Sequence, residues 1–369
     1  MGGDERAYWV ALSLIPRVGR VLFKRLVDRF GSPKSVLSAP WGQLAQVEGI
    51  GEKTAREIAA FDWERDLERE LDQIEKRQIS LITLPDPTYP SPLRTIPDPP
   101  PLLYVQGTWE ESDALAIALV GSRSPTSYGK LMAERLSQGL AELGIVVVSG
   151  LARGIDTYAH RGTLAAGGRT LAVLGCGLGV TYPPESGPLR EEIRRAGAVL
   201  SEFPLFTKPE RLNFPVRNRL ISGLSLGTLV VEAAAQSGAL ITAHFALDQG
   251  REVFAVPGPA YSPKSKGTHR LIKLGAKLVE GVEDILEELP PEFLKGLRDR
   301  LIPQEERRPP ELSPEEASIV QAIPEEGGHI DLIIRNSQLL PSQVSGILVM
   351  LELKGLVKQL PGKVFLRAG

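Results

Sequence analysis

Short apolar runs rich in β-branched residues alternate with stretches of helical periodicity through the middle of the chain, and this limits the possible folds more than any other feature. The runs are Ala116–Val120, Ile145–Ser149, Thr170–Leu174, Ala198–Leu200, Thr228–Val231 and Glu252–Val256. Helical patterns between them include Tyr128–Leu143, Thr157–Ala166 and Leu240–Gln249. Most runs are apolar on both faces, as strands covered on each side by helices require. The alternation predicts an α/β fold with a doubly wound, mostly parallel sheet. Such sheets bind ligands outside the carboxyl ends of their strands, so the residues after each run are the candidates for function.

The flanks read differently. Residues 1–60 are short helical runs punctuated by glycine, followed by an acid-rich helix over Trp63–Arg77. Leu84–Pro101 is dense in proline, which removes backbone donors, and it predicts an ordered, extended connector rather than an element. Pro303–Pro314 combines charge with proline and predicts a flexible linker. The expected layout is a helical domain over 1–83, the α/β domain over 84–302, a linker over 303–312 and a small domain over 313–369. A content of 42% hydrophobic and 24% charged residues excludes a disordered chain. Cys176 is the single cysteine, which excludes an internal disulfide or a cysteine zinc cage and fits a reducing compartment. The histidines never stand at i, i+4, so no metal site is expected. No stretch reaches the ~18 apolar residues a membrane span needs, and Met1–Arg6 leads into no signal-peptide core. A cytoplasmic location without membrane contact is expected.

The strand-end loops carry unusual chemistry. Gly121-Ser122-Arg123 follows the first run: glycine permits a tight turn, serine and the next helix's N-terminus offer donors, and arginine offers a fork for phosphate. Ser149-Gly150-Leu151-Ala152-Arg153-Gly154 follows the second, with Asp156 expected as a helix N-cap. Gly175-Cys176-Gly177-Leu178-Gly179 follows the third, with Cys176 expected as a small buried filler. Together the tips suggest anion-receptive concavities suited to a sugar–phosphate backbone, although glycines also end strands for steric reasons alone. The segment 213–222 sets Phe214 beside Arg217, Asn218 and Arg219. An aromatic with arginines suits a single-stranded nucleic acid, where a base stacks while phosphate is neutralised. The alternative is a helix whose Phe214 packs as a staple and whose arginines are solvated. Between Ala114 and Val279 there are 19 Lys and Arg against 11 Asp and Glu, in a chain of net charge −2. That local excess favours a polyanionic partner. No nucleophile elbow, full phosphate-binding loop or metal-spaced carboxylate cluster emerges, so no catalytic residue is expected. The stretch from Gly223 through Gly227-Thr228 to Glu232 is similar to nucleotide-hydrolysing Rossmann proteins, but Leu224 and Ser225 depart from their glycine pattern. A phosphoribohydrolase using Glu232 is the alternative reading.

Taken together, Gly121-Ser122-Arg123 with Tyr128-Gly129, the segments 149–156 and 214–225, Ser237–Thr242, Val256-Pro257-Gly258 and 265–272 resemble the DNA-processing protein A family (DprA, also called Smf). The resemblance spans essentially the whole chain; His269 stands where asparagine is expected. It implies an extended Rossmann-like domain that forms a homodimer, binds single-stranded DNA, protects it during natural transformation and loads the recombinase RecA. The family is not known as an enzyme, and no cofactor is implied. By matching position, Arg123 is the main phosphate contact and Arg153, Phe214, Arg217 and Arg219 are further pocket candidates. Gly121, Ser122, Ser149, Gly150, Gly175, Asn218 and, more weakly, Lys266 complete the expected set.

Near the start, 47–58 resembles a helix–hairpin–helix, with Leu14–Gly19 as a partner hairpin, so a SAM-like helical domain is expected there. Loop amides at such a hairpin can meet a DNA phosphate, and such modules also serve protein contacts. At the other end, Ser313–Ile323, Asp331–Asn336 and Pro341–Lys354 predict helices, and Val357–Leu360 with Lys363–Leu366 a hairpin, together a winged helix. Ser313 and Glu316 form an expected capping box. The recognition-helix segment 342–350 holds no basic residue, which favours protein contact over duplex reading.

Overall fold

The computed structural model describes residues 5–290, 312–324, 327–337, 339–353, 356–360 and 362–367. The chain divides after Leu297 into two compact units. The first is organised around one sheet, with strands β1 (Ser80–Thr83), β2 (Leu102–Gly107), β3 (Ala116–Val120), β4 (Val146–Ser149), β5 (Thr170–Val173), β6 (Ala198–Ser201), β7 (Gly227–Val230), β8 (Glu252–Ala255) and β9 (Lys277–Leu278). Their order is β1-β2-β6-β5-β4-β3-β7-β8-β9. Strands β3 to β9 pair in parallel, whereas β2 runs antiparallel to both β1 and β6. The chain winds outward from β3 first through β4 to β6, then through β7 to β9, as the alternating pattern predicts.

Strand β3 shows why the sheet needs apolar residues on both faces. Every residue of it is buried: Ala116, Ala118 and Val120 join one core layer, while Ile117 and Leu119 join the other. Opposite faces by alternation are what the two-residue period of a strand dictates. The helix Ser127–Glu142 seals the second face with Met132, Leu136 and Leu140.

The proline-dense connector differs from its expectation. It joins two sheet strands and contains a one-turn helix, Ser91–Arg94, with Pro92 in its first turn, where the missing donor is harmless. Strand β1 at residues 80–83 therefore belongs to the large sheet, in register Leu81 to Tyr104. The helical region before it shares a hydrophobic cluster with the sheet: Leu12, Phe23 and Leu26 pack with Leu102, Tyr104 and Ala172. Within that region Gly19 and Gly51, both extended, precede the helices Arg20–Phe30 and Glu52–Ala59.

The second unit has the helices Pro314–Ala322, Ile330–Ser337 and Pro341–Leu353 and a sheet of β10 (Gly328–His329), β11 (Val357–Leu360) and β12 (Val364–Arg367), ordered β10-β12-β11. Ser313 and Glu316 cap the first helix reciprocally. Ile319, Ile333, Val344, Leu348 and Phe365 form its core. Residues 303–311 of the second connector, Lys354 and Pro361 lie outside the described residues. Among the described residues no helix is long and apolar enough to cross a membrane.

Candidate nucleic-acid interface

The tips of β3, β4 and β5 enclose one pocket, lined by Arg123, Gly150 to Arg153, Leu174 to Cys176, Tyr182, Pro183 and Phe214. Arg123 is exposed, and its guanidinium stands 5.3 Å from the centre of the Phe214 ring. Among the described residues it makes no ion pair, so its charge faces solvent uncompensated at contact distance. Tyr182 lies 5.5 Å from Phe214, ring to ring, which makes the wall an aromatic pair. Gly175 allows this: a Cβ there would stand 2.8 Å from the Phe214 ring. Arg153 opens onto the pocket but is paired with Glu185, at 3.1 Å for its second contact. That pairing holds the Glu185 carboxyl well below the usual carboxylate range. The pair is exposed, so water and salt weaken it and Arg153 remains exchangeable.

Beneath the pocket lies a buried polar layer. Arg217 is only 4% exposed and donates to Gly150 O at 2.8 Å, to Val173 O and to Asn218 Oδ1 at 3.1 Å. Asp156 accepts from the amides of Gly150 at 3.1 Å and Ala152 at 3.3 Å. Burial pushes the Asp156 carboxyl up and the Arg217 guanidinium down, while each charge pulls the other back toward its ionised form. Below them His160 contacts Thr170 Oγ1 through Nδ1 at 2.7 Å, and Thr170 donates onward to Val147 O at 2.7 Å. Thr170 having used its proton, His160 carries its own on Nδ1. Complete burial, with Arg217 nearby, pushes the His160 imidazolium down to about 3.

Several residues expected as contacts also shape the tips. Ser149 is fully buried and donates to Leu119 O at 2.6 Å. Gly121 and Gly150 give room for Ile155 and the Arg217 guanidinium, respectively. The amides of Gly177 and Gly179 bond Thr207 O at 3.0 Å and Leu205 O at 2.7 Å, and that of Ser122 bonds Glu232 O at 2.7 Å. These three donors are therefore not free for an anion. Asp156 is not the helix N-cap: Gly154 holds that place, and Asp156 reaches back from the first turn to the loop. Cys176 is buried, as a small filler would be.

Arg219 is set apart. Two residues along the helix Asn213–Gly223 from Arg217, it leaves on another face, 3% exposed, to pair with Glu202 at 2.6 Å and Asp98 at 3.4 Å. A buried guanidinium so saturated cannot serve the pocket. Asn218 orients Arg217 and contacts Gly238 O at 3.5 Å. Lys266 is exposed outside the pocket and donates to Ala260 O at 3.1 Å. Its neighbour Lys264 instead donates to Ser124 O, beside Arg123, and only the tertiary fold distinguishes the two lysines. Tyr182 was also not singled out by sequence; an aromatic shortly after the third glycine-rich tip was the available signal. His269 binds Gly258 O through Nε2 at 2.9 Å and holds that loop.

The crevice beside β3 and β7, where the winding direction reverses, is filled by the protein itself. Glu232 accepts from Thr126 N at 3.2 Å and from the Thr126 hydroxyl.

A Rossmann-like sheet with a cation and an aromatic pair at its tips, preceded by tandem helical hairpins and accompanied by a winged-helix unit, defines a class of DNA-processing proteins. The chain belongs to the DNA recombination-mediator protein A family: residues 80–290 match it, 303–363 match the DprA winged helix domain, and 11–61 match the SAM-like helix-hairpin-helix tandem. It is 36% identical over 397 residues to Protein Smf of Synechocystis, covering 100% of both chains. It is 44% identical over 225 residues to DNA processing protein DprA of Bacillus subtilis, covering 61% of this chain and 76% of that one. Among solved structures, DprA of Streptococcus pneumoniae superposes with a TM-score of 0.68 at 33% identity, covering 79% of this chain and 99% of that one. DNA processing protein A of Helicobacter pylori, described for its single-stranded DNA binding mode, superposes with a TM-score of 0.52 at 29% identity, covering 59% and 97%.

Proposed function

We propose that the protein binds single-stranded DNA at the Arg123–Phe214–Tyr182 pocket. In natural transformation and homologous recombination it protects the incoming strand and passes it to the recombinase RecA, acting as a homodimer through its sheet domain. The observation that carries the reading is the exposed Arg123 guanidinium, without an ion pair among the described residues, beside an aromatic pair. A phosphate meets the cation while a base meets a ring, an arrangement tolerant of sequence because every base has a π-face. The binding described for the Helicobacter pylori relative supports it. No catalytic role is assigned: Glu232, the carboxylate a nucleotide-hydrolysing reading would use, already serves Thr126. Arg123→Glu tests the proposal. Affinity for a single-stranded oligonucleotide falls about 100-fold, two decades of ~1.4 kcal/mol each. The thermal melt stays near that of the unaltered protein, because Arg123 packs in no core. Unchanged binding overturns the reading.

A further inference from the structure

We infer a second base-stacking platform, Phe206 with Arg77, that extends the single-strand track beyond the Arg123 pocket; the inference rests on the function proposed above. Phe206 is 52% exposed on the loop after β6, and the Arg77 guanidinium stands 5.6 Å from its ring centre. That spacing repeats the 5.3 Å of Arg123 over Phe214. It differs from Arg56 over Trp41, at 3.7 Å, a closed pair with no room for a guest. A base is about 3.4 Å thick, so Arg77 needs to move outward by only ~1–2 Å for a base to enter over the ring.

The platform is held rigidly. The ring's Cδ1 and Cε1 rest on Gly179, where a Cβ would stand 2.8 Å away. The neighbouring Leu205 binds Gly179 N through its carbonyl and donates its amide to the buried Glu70 carboxylate at 2.6 Å. Glu70 and Arg77 thus clamp the loop from the same N-terminal segment, the helix Trp63–Lys76 and the residue after it. Exposed Lys208 and Arg211 follow Phe206, against Glu210, and supply cations for a backbone.

The two platforms are close. Gly175 supports Phe214 and Gly179 supports Phe206, and four residues span at most about 14 Å. Each ring stands a few ångströms beyond its glycine, so the two rings are separated by several nucleotides at ~3.4 Å per stacked step. A strand seated in the first pocket therefore reaches the second within several nucleotides.

The test uses the full chain with two thymidine oligomers, one of about three nucleotides and one of about twenty. Phe206→Ala weakens the longer about ten-fold, the loss of one stacked base, and leaves the shorter nearly unchanged. Phe206→Trp restores the longer. In the longer oligomer carrying 2-aminopurine at successive positions, Phe206→Ala relieves quenching at a position distinct from that relieved by Phe214→Ala. Equal weakening of both oligomers, or of neither, overturns the second platform. If Arg123→Glu also leaves both unaffected, it is the single-strand reading itself that fails.

Discussion

Arg123 and Arg217 approach the same Phe214 ring, at 5.3 and 6.0 Å, from opposite states of solvation. Arg123 projects into water and makes no ion pair among the described residues. Arg217 is buried, its donors turned to the carbonyls of Gly150 and Val173 and its charge facing Asp156. Residue type is the same; available valence is not. An arginine already saturated by carbonyls positions loops, whereas one left to solvent can exchange water for phosphate.

Substitutions can break this contrast. The largest effect is expected from Arg217→Met, which strands Asp156 as a buried charge and removes the tie between the β4 and β5 tips. Stability falls by about 3–5 kcal/mol in urea titration. In the fraction that remains folded, the slope of log affinity against log salt stays as it was, because no phosphate contact is lost. Arg123→Glu reverses that pattern, with stability unchanged and a shallower salt slope. Phe214→Ala sharpens the comparison by removing the ring both arginines face. Single-strand affinity falls about ten-fold, read by fluorescence anisotropy, with little change in salt slope. A separate, pH-dependent effect concerns His160. The fold holds its imidazolium down to about 3, against ~6.5 when unfolded, so the unfolded chain binds the extra proton between those values. Its contribution is intact above pH 6.5 and is lost on acidification, by up to about 1.4 kcal/mol per pH unit. His160→Gln removes that slope, and denaturation midpoints of the two proteins at pH 7.5 and 4.5 measure the difference.

The strands β3 to β8 were legible because continuous apolar runs flanked by helical periodicity have few other uses; their ends fall within about a residue of the pattern. Strands β1 and β2 were not. They are short antiparallel additions separated by a proline-dense loop, and their identity lies in pairing with each other and, for β2, with β6 rather than in local pattern. At the tips, Arg123, Arg153 and Phe214 could be picked out because their chemistry is local. The fates of Arg217 and Arg219 could not, since the acceptors for Arg217 sit 67 and 44 residues away and Glu202 lies across another strand end. The same holds for the glycine-rich tips. Whether an amide is free depends on an acceptor such as Thr207 O or Leu205 O, which no spacing rule locates.

The turns after β3 and β4 are bolted together: Ile155 N bonds Ser122 O at 3.0 Å, and Gly154, at φ +81°, leaves no space for a side chain against that same oxygen. The backbone of these two turns is thus preset, so a ligand arriving there finds their shape already made and association at this point is governed by collision and charge.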